Sequence, residues 1–150
     1  MRSIILADEA ETRALGAQIA GLLRPGDVIA LHGGLGAGKT TLARGLLQSL
    51  CGADMDVPSP TYTLVQTYET PAGPLWHYDL YRIETPGDLD ELGWDETEAG
   101  IMLVEWPERA GHRLPAWRLD LRLTAEGTGR RAALEPLGED WQTRLNDDGF

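Results

Sequence analysis

Lysine is nearly absent from this sequence of 150 residues: Lys39 is the only one, and the other twelve of the 13 basic side chains are arginines. Cysteine is as scarce. Cys51 stands alone, which excludes an internal disulfide and a multi-thiolate metal centre and leaves a small buried hydrophobe as its default reading. No apolar run approaches the roughly 20 residues that span a bilayer. The opening stretch "MRSIILADEAETRALG" runs from a short apolar patch straight into acids, without a signal peptide's hydrophobic region and cleavage site. The expectation is a soluble chain that stays in the cytoplasm. Positive charge is short overall, with 13 basic against 24 acidic side chains and a formal net charge of −11. Such a surface repels a nucleic-acid backbone, so any RNA this protein serves is expected to be held by another chain. Solubility alone is a sufficient second explanation for the acid excess. Internal repeats, low-complexity tracts and linkers are also missing, which predicts one domain over residues 1–150 with a short flexible tail at "NDDGF".

What is present is a clear alternation of strand and helix patterns. After a brief strand at "SIIL", the stretch Asp8 to Leu23 places Leu15, Ile19, Leu22 and Leu23 at helical spacing, with Asp8, Glu9 and Glu11 near its start, where the dipole favours acids. "RPGD" turns the chain into the apolar "VIALH", and "TTLARGLLQSL" follows with helical periodicity up to Gly52. "TYTLVQTYE" and "PLWHYDLYRI" read as strands joined at "TPAG", and "TPGDLDELGWDETEAG" as short acidic helical turns. "IMLVE" is a buried strand ending on a carboxylate, "WRLDLRLTA" and "RRAALEPL" are strands around "EGTG", and "GEDWQTRL" is a closing helix. An early strand, loop and helix need a parallel crossover, whereas the later strands suggest an antiparallel meander. The predicted fold is α/β, a P-loop NTPase-like mixed β-sheet flanked by helices. Core packing is the default for Trp76, Trp94, Trp106, Trp117 and Trp141, and His32, His77 and His112 form no ligand-like cluster.

The solitary lysine falls in "GGLGAGKTT". Gly33, four residues, then Gly38, Lys39 and Thr40 satisfy the phosphate-binding loop pattern, between an apolar strand and a helix as that mechanism requires. Glycines let backbone N–H groups converge on a phosphate at the positive end of a helix. A compact ammonium on a flexible stem can reach between β- and γ-phosphate oxygens, where a planar guanidinium does not fit the narrow loop. That explains one lysine in a chain that otherwise uses arginine.

A nucleotide loop of this kind needs Mg²⁺. Thr40 offers a hydroxyl, and Glu105, at the end of "IMLVE", is the expected carboxylate, although a strand-end glutamate can also be a solvated loop residue. Asp79 in "HYDLYR" either positions the attacking water, holds magnesium through water, or is a turn carboxylate paired with Arg82. Thr61 in "SPTYT" either donates to phosphate or water or merely enters a strand. Three functions fit these residues: an ATPase subunit, a small kinase of a metabolite or nucleoside, and a nucleotide-gated binding module. Kinases of this size carry a mobile lid with several arginines, for which only "ERAGHR" is available here.

"GGLGAGKTT", "SPTYTLVQTY", "HYDLYRI" and "LVEWPE", in this order and at these distances, resemble the TsaE family, the bacterial ATPases of tRNA threonylcarbamoyladenosine biosynthesis. The four motifs run from Gly33 to Glu108, and the flanking elements fit the same plan. The resemblance implies a small P-loop α/β domain that binds ATP and Mg²⁺ and hydrolyses ATP. It also implies action with the TsaD and TsaB proteins, which transfer the threonylcarbamoyl group to an adenosine beside the anticodon, so that tRNA is met only through the assembly. Carried over by motif, Gly34, Leu35, Gly36, Ala37, Gly38, Lys39, Thr40 and Thr41 hold the phosphates, Thr40 and Glu105 hold Mg²⁺, and Lys39, Asp79 and Thr61 serve hydrolysis. The start of the first helix and a turn before the last strand, here Glu9, Gly129 and Arg130, complete the implied nucleotide pocket.

Overall fold

The computed structural model describes residues 2–53, 55–58, 60, 63–97 and 99–150, so Thr61 lies outside the described residues. Seven strands form a sheet: β1 (Arg2–Leu6), β2 (Val28–His32), β3 (Val65–Thr70), β4 (Gly73–Asp79), β5 (Ile101–Glu105), β6 (Arg118–Glu126) and β7 (Gly129–Leu137). Three α-helices accompany them: α1 (Glu9–Ala20), α2 (Lys39–Cys51) and α3 (Glu139–Asp147). Short 3₁₀ segments at Pro86–Leu92, Trp94–Glu96 and Pro107–Arg113 cover the acidic stretch and the region after β5.

Spatially the strands run β1-β7-β6-β2-β5-β4-β3. β6, β2, β5 and β4 are mutually parallel, and antiparallel pairs flank them, β3 with β4 on one side and β7 with β6 and β1 on the other. The expected mixed sheet is thus present, but the antiparallel meander is confined to its margins. β4 and β6 join the parallel centre, pairing with the outer edges of β5 and β2. Every residue of β5 and all but the last of β2 are buried, as continuous apolar runs in parallel strands require. One face, with Ile29, Leu31, Leu75 and Leu103, packs against α1, α2 and α3 through Leu15, Ile19, Leu42, Leu46 and Trp141. The opposite face, with Val28, Tyr78, Met102 and Val104, is closed by Leu80, Leu89, Trp94 and Ala110 of the irregular segments.

Local chemistry explains the element ends. Asp8 caps α1 by accepting from the Glu11 N–H at 2.9 Å, and the Glu11 carboxylate returns to the Ala7 N–H at 3.0 Å. The strand expected to continue to Ile83 stops at Asp79, whose Oδ1 accepts from the Tyr81 N–H at 3.0 Å and turns the chain. "NDDGF" is not a free tail: Asn146 and Asp147 belong to α3, the Phe150 N–H donates to Leu145 O, and the Phe150 ring packs against the core. The ring is half-buried, removing part of a large apolar surface from water. Trp94 and Trp141 are core residues as expected, but Trp117 is 76% exposed, and Trp106 lies at the mouth of a cleft.

Candidate functional site

The parallel strands β2, β4 and β5 end on the same side of the sheet, where α/β proteins place their ligands. A cleft of about 500 Å³ opens there, lined by the glycine loop after β2, Asp79 at the end of β4 and Glu105 at the end of β5. Gly34, Leu35, Gly36, Ala37, Gly38, Lys39, Thr40 and Thr41 all line it, and so do Glu9, Gly129 and Arg130. Residues from five separate stretches of the sequence therefore meet in one cavity.

The loop's shape depends on its glycines. Gly38 caps α2 with φ of 106°, in the left-handed region, so its peptide can turn inward before the first helical turn. Arg130 reaches across from β7 and donates from Nε to Ala37 O and from Nη2 to Gly36 O, both at 2.9 Å. The guanidinium thus grips the back of the loop by its carbonyls, which leaves the loop's N–H groups to other partners.

Lys39 is 5% exposed. Its Nζ donates to Gly33 O and, at 3.1 Å, to Gly34 O, and it sits 3.8 Å from the centre of the Trp106 ring. Burial pulls this ammonium below the ordinary lysine value, while the carboxylates of Glu105, Glu108 and Asp79 act in the opposite direction. The site therefore holds, beside Arg130, a buried ammonium that lacks full hydration and faces several carboxylates. Trp106 has φ of 57°, an uncommon backbone state for a non-glycine residue. Its ring lies over Lys39 while packing against the edge of the second core cluster.

Thr40 Oγ1 donates to Glu105 Oε1 at 3.2 Å. Glu105 is 2% exposed, and its other oxygen, Oε2, lies 2.7 Å from His77 Nε2. Asp79 stands opposite Glu105 in the parallel register, buried on the same face. Thr40, Asp79 and Glu105 form a compact set of oxygen atoms beside Lys39. Among the described residues, no three His, Cys, Asp or Glu side chains are arranged to hold a metal ion.

Sequence reasoning missed His77 and Trp106. Both carried a signal: Trp106 directly follows a strand-end glutamate, and His77 precedes Asp79 by two positions, which puts the two on one face of a strand. Asp8, Thr12 and Thr128 also line the cleft and were not singled out as site residues. The arginines of "ERAGHR" do not line it, and Arg113 is bound to Asp90 and Asp95 at 2.9 Å each.

The family model described as "Threonylcarbamoyl adenosine biosynthesis protein TsaE" matches residues 6–133. A Rickettsia felis protein described as tRNA threonylcarbamoyladenosine biosynthesis protein TsaE is 38% identical over 129 residues, covering 85% of this chain and 75% of its own. Proteins of the same description from Bacillus subtilis and Aquifex aeolicus are 39% and 43% identical, over 81% and 73% of this chain and 76% and 79% of theirs. The crystal structure of Bacillus subtilis YdiB superposes with a TM-score of 0.79 at 28% identity, covering 99% of this chain and 93% of that one.

Proposed function

The chain belongs to the TsaE family of threonylcarbamoyl adenosine biosynthesis proteins, and from that premise we propose that it is a magnesium-dependent ATPase subunit that supports threonylcarbamoyl modification of tRNA. One observation carries the reading. The Thr40 hydroxyl and the Glu105 carboxylate, 65 residues apart in the chain, meet at 3.2 Å beside a lysine-bearing glycine loop. A hydroxyl and one carboxylate are hard oxygen donors that suit Mg²⁺, which commonly completes its shell with water and substrate phosphates.

On this reading the loop N–H groups and the α2 N-terminus hold the phosphates, and Lys39 exchanges the Gly33 and Gly34 carbonyls for β- and γ-phosphate oxygens. Mg²⁺, when bound, supplies charge that offsets the negative charge of the transferring phosphoryl group. Glu105 and Thr40 would hold it. Asp79, on the strand beside Glu105, accepts or orients the water that attacks. Glu9, Gly129 and Arg130 line the same cleft and offer the surface against which the nucleoside end lies. Thr61, outside the described residues, keeps its proposed place among the hydrolysis residues.

TsaD and TsaB are the proposed partners, with tRNA held by them in the cytoplasm. The net charge of −11 supports a division in which this chain does not itself hold RNA. No helix among the described residues is long and apolar enough to cross a membrane. The decisive measurement is ATP hydrolysis by the purified protein, alone and with the TsaB and TsaD proteins from the same source. Stimulation by the partners is expected, and Lys39→Ala should abolish it, losing a charge-assisted contact of about 1.5–3 kcal/mol. Hydrolysis that neither partner alters, or that survives Lys39→Ala, would overturn the proposal.

A further inference from the structure

His77 is a fully buried histidine on a strand face that is otherwise apolar until it reaches the cleft. Leu75, His77 and Asp79 alternate onto that face of β4, and Ile101, Leu103 and Glu105 onto the same face of β5. The register sets His77 against Leu103 and Asp79 against Glu105, so the imidazole reaches diagonally toward the cleft and meets Glu105. A leucine at this position would satisfy packing with no polar atom to accommodate. Packing therefore does not account for the histidine.

Its hydrogen bonding does. The carboxylate Glu105 can only accept, so His77 Nε2 carries the hydrogen, and its 2.7 Å distance to Oε2 is that of a well-formed bond. The second ring nitrogen, Nδ1, has no hydrogen-bond partner among the described residues. The ring's one polar link there is to Glu105. Because Oε1 of the same carboxylate accepts from Thr40, donors on two sides fix the plane of a side chain that otherwise has three free torsions.

We propose that His77 is a positioning residue for the magnesium site: its Nε2–H holds Glu105 Oε2, so that Oε1 stays turned toward Thr40 before any nucleotide arrives. The inference rests on the magnesium reading given above. His77 does not line the cleft and touches neither nucleotide nor metal; it acts through Glu105. Partners of this kind orient the ligating group, and their removal typically weakens metal affinity by about 10- to 100-fold.

The test reads binding, not turnover. The affinity of β,γ-imido-ATP is measured by calorimetry in Mg²⁺ and in EDTA, and the ratio of the two dissociation constants reports how well the site couples metal to nucleotide. The parent is expected to bind more tightly in Mg²⁺. His77→Leu should reduce the ratio by about tenfold or more while leaving binding in EDTA unchanged, and His77→Gln, which offers an amide N–H at a similar reach, should restore most of it. A leucine variant with a lower Tm but the parental ratio would overturn the inference and leave His77 a core residue. A parent whose affinity ignores Mg²⁺ would instead overturn the magnesium reading, and this inference with it. Should the leucine variant not fold, the parent itself decides through the ring ¹⁵N signals of its histidines. Adding Mg²⁺ to the analogue complex should shift those of His77 and not those of the exposed His112, and a His77 signal that stays in place would overturn the proposal.

Discussion

Lys39, Asp79 and Arg130 illustrate three degrees of legibility at the scale of single residues. Lys39 was legible because its type, its rarity and its motif agree, and the structure places it in the cleft beside Glu105. Asp79 was legible as a carboxylate after a β run, but its alternatives stayed open because the strand register that brings it beside Glu105 is a long-range fact. Asp79→Asn keeps the size of the side chain and removes its capacity to take a proton. ATP is expected to bind this variant and hydrolysis to slow by about 10²- to 10⁴-fold, the usual contribution of a general base; a single-turnover assay at parental rate would remove Asp79 from the proposed mechanism. Arg130 was placed in the pocket by resemblance, whereas its bonds to Gly36 and Ala37 carbonyls came only from the structure. Arg130→Ala leaves those two carbonyls to water and loosens the loop. The expected cost is about tenfold in ATP affinity, or about 1.4 kcal/mol, readable by calorimetry, and an unchanged affinity would show that the loop keeps its shape unaided.

At the scale of elements, α1 and α2 approach each other closely enough to depend on glycine. A Cβ on Gly16 would lie 2.3 Å from Leu42 O, and one on Gly45 would lie 2.3 Å from Arg13 O. Both contacts are to backbone, which cannot rotate aside, so the helices can pack this tightly only with glycine at the crossing. The spacing matters to the site because α1 and its cap contribute Asp8, Glu9 and Thr12 to one wall of the cleft, while α2 begins with Lys39 and Thr40 on another. Gly16→Ala should separate the helices and destabilise the fold by about 1–3 kcal/mol, the usual range for overpacking. Denaturant unfolding measures that loss, and a parallel drop in ATP affinity is expected because the wall moves with the helix. Parental stability would mean that the helices shift apart without resistance. The helices themselves were readable from apolar spacing and from Asp8 as a cap. Their glycine contact was not, since either glycine in a helical pattern reads only as a modest penalty.

For the molecule as a whole, stability in acid depends on carboxylates that the fold has placed beside cations. Asp120 on β6 is one: burial would raise its pKa, but the imidazole of His32, 3.2 Å away, and the hydrogen bond from Arg118 at 2.8 Å outweigh it and hold the carboxyl below its ordinary 3.8. A depressed carboxylate stabilises the fold fully above the unfolded value and loses that contribution as pH falls through the folded one. Thermal unfolding of Asp120→Asn should therefore start from a lower Tm at neutral pH and decline less steeply below 3.8 than the parent; parallel acid limbs for the two proteins would show that Asp120 contributes nothing there. This pair belongs to the tertiary structure, because His32 ends β2 and Asp120 lies on β6, brought side by side only by parallel pairing. By itself the sequence determined the alternation of strands and helices, the phosphate-loop pattern with its one lysine and the family resemblance, since all of these lie in local spacing and residue type. The tertiary structure alone decided that β4 and β6 run parallel in the centre, that Trp106 covers Lys39 and that Thr40, His77 and Glu105 form a single hydrogen-bonded chain. Those outcomes depend on which strands become neighbours and in what register, and that is set by burying the faces of the whole sheet at once, a condition that no short stretch of sequence expresses.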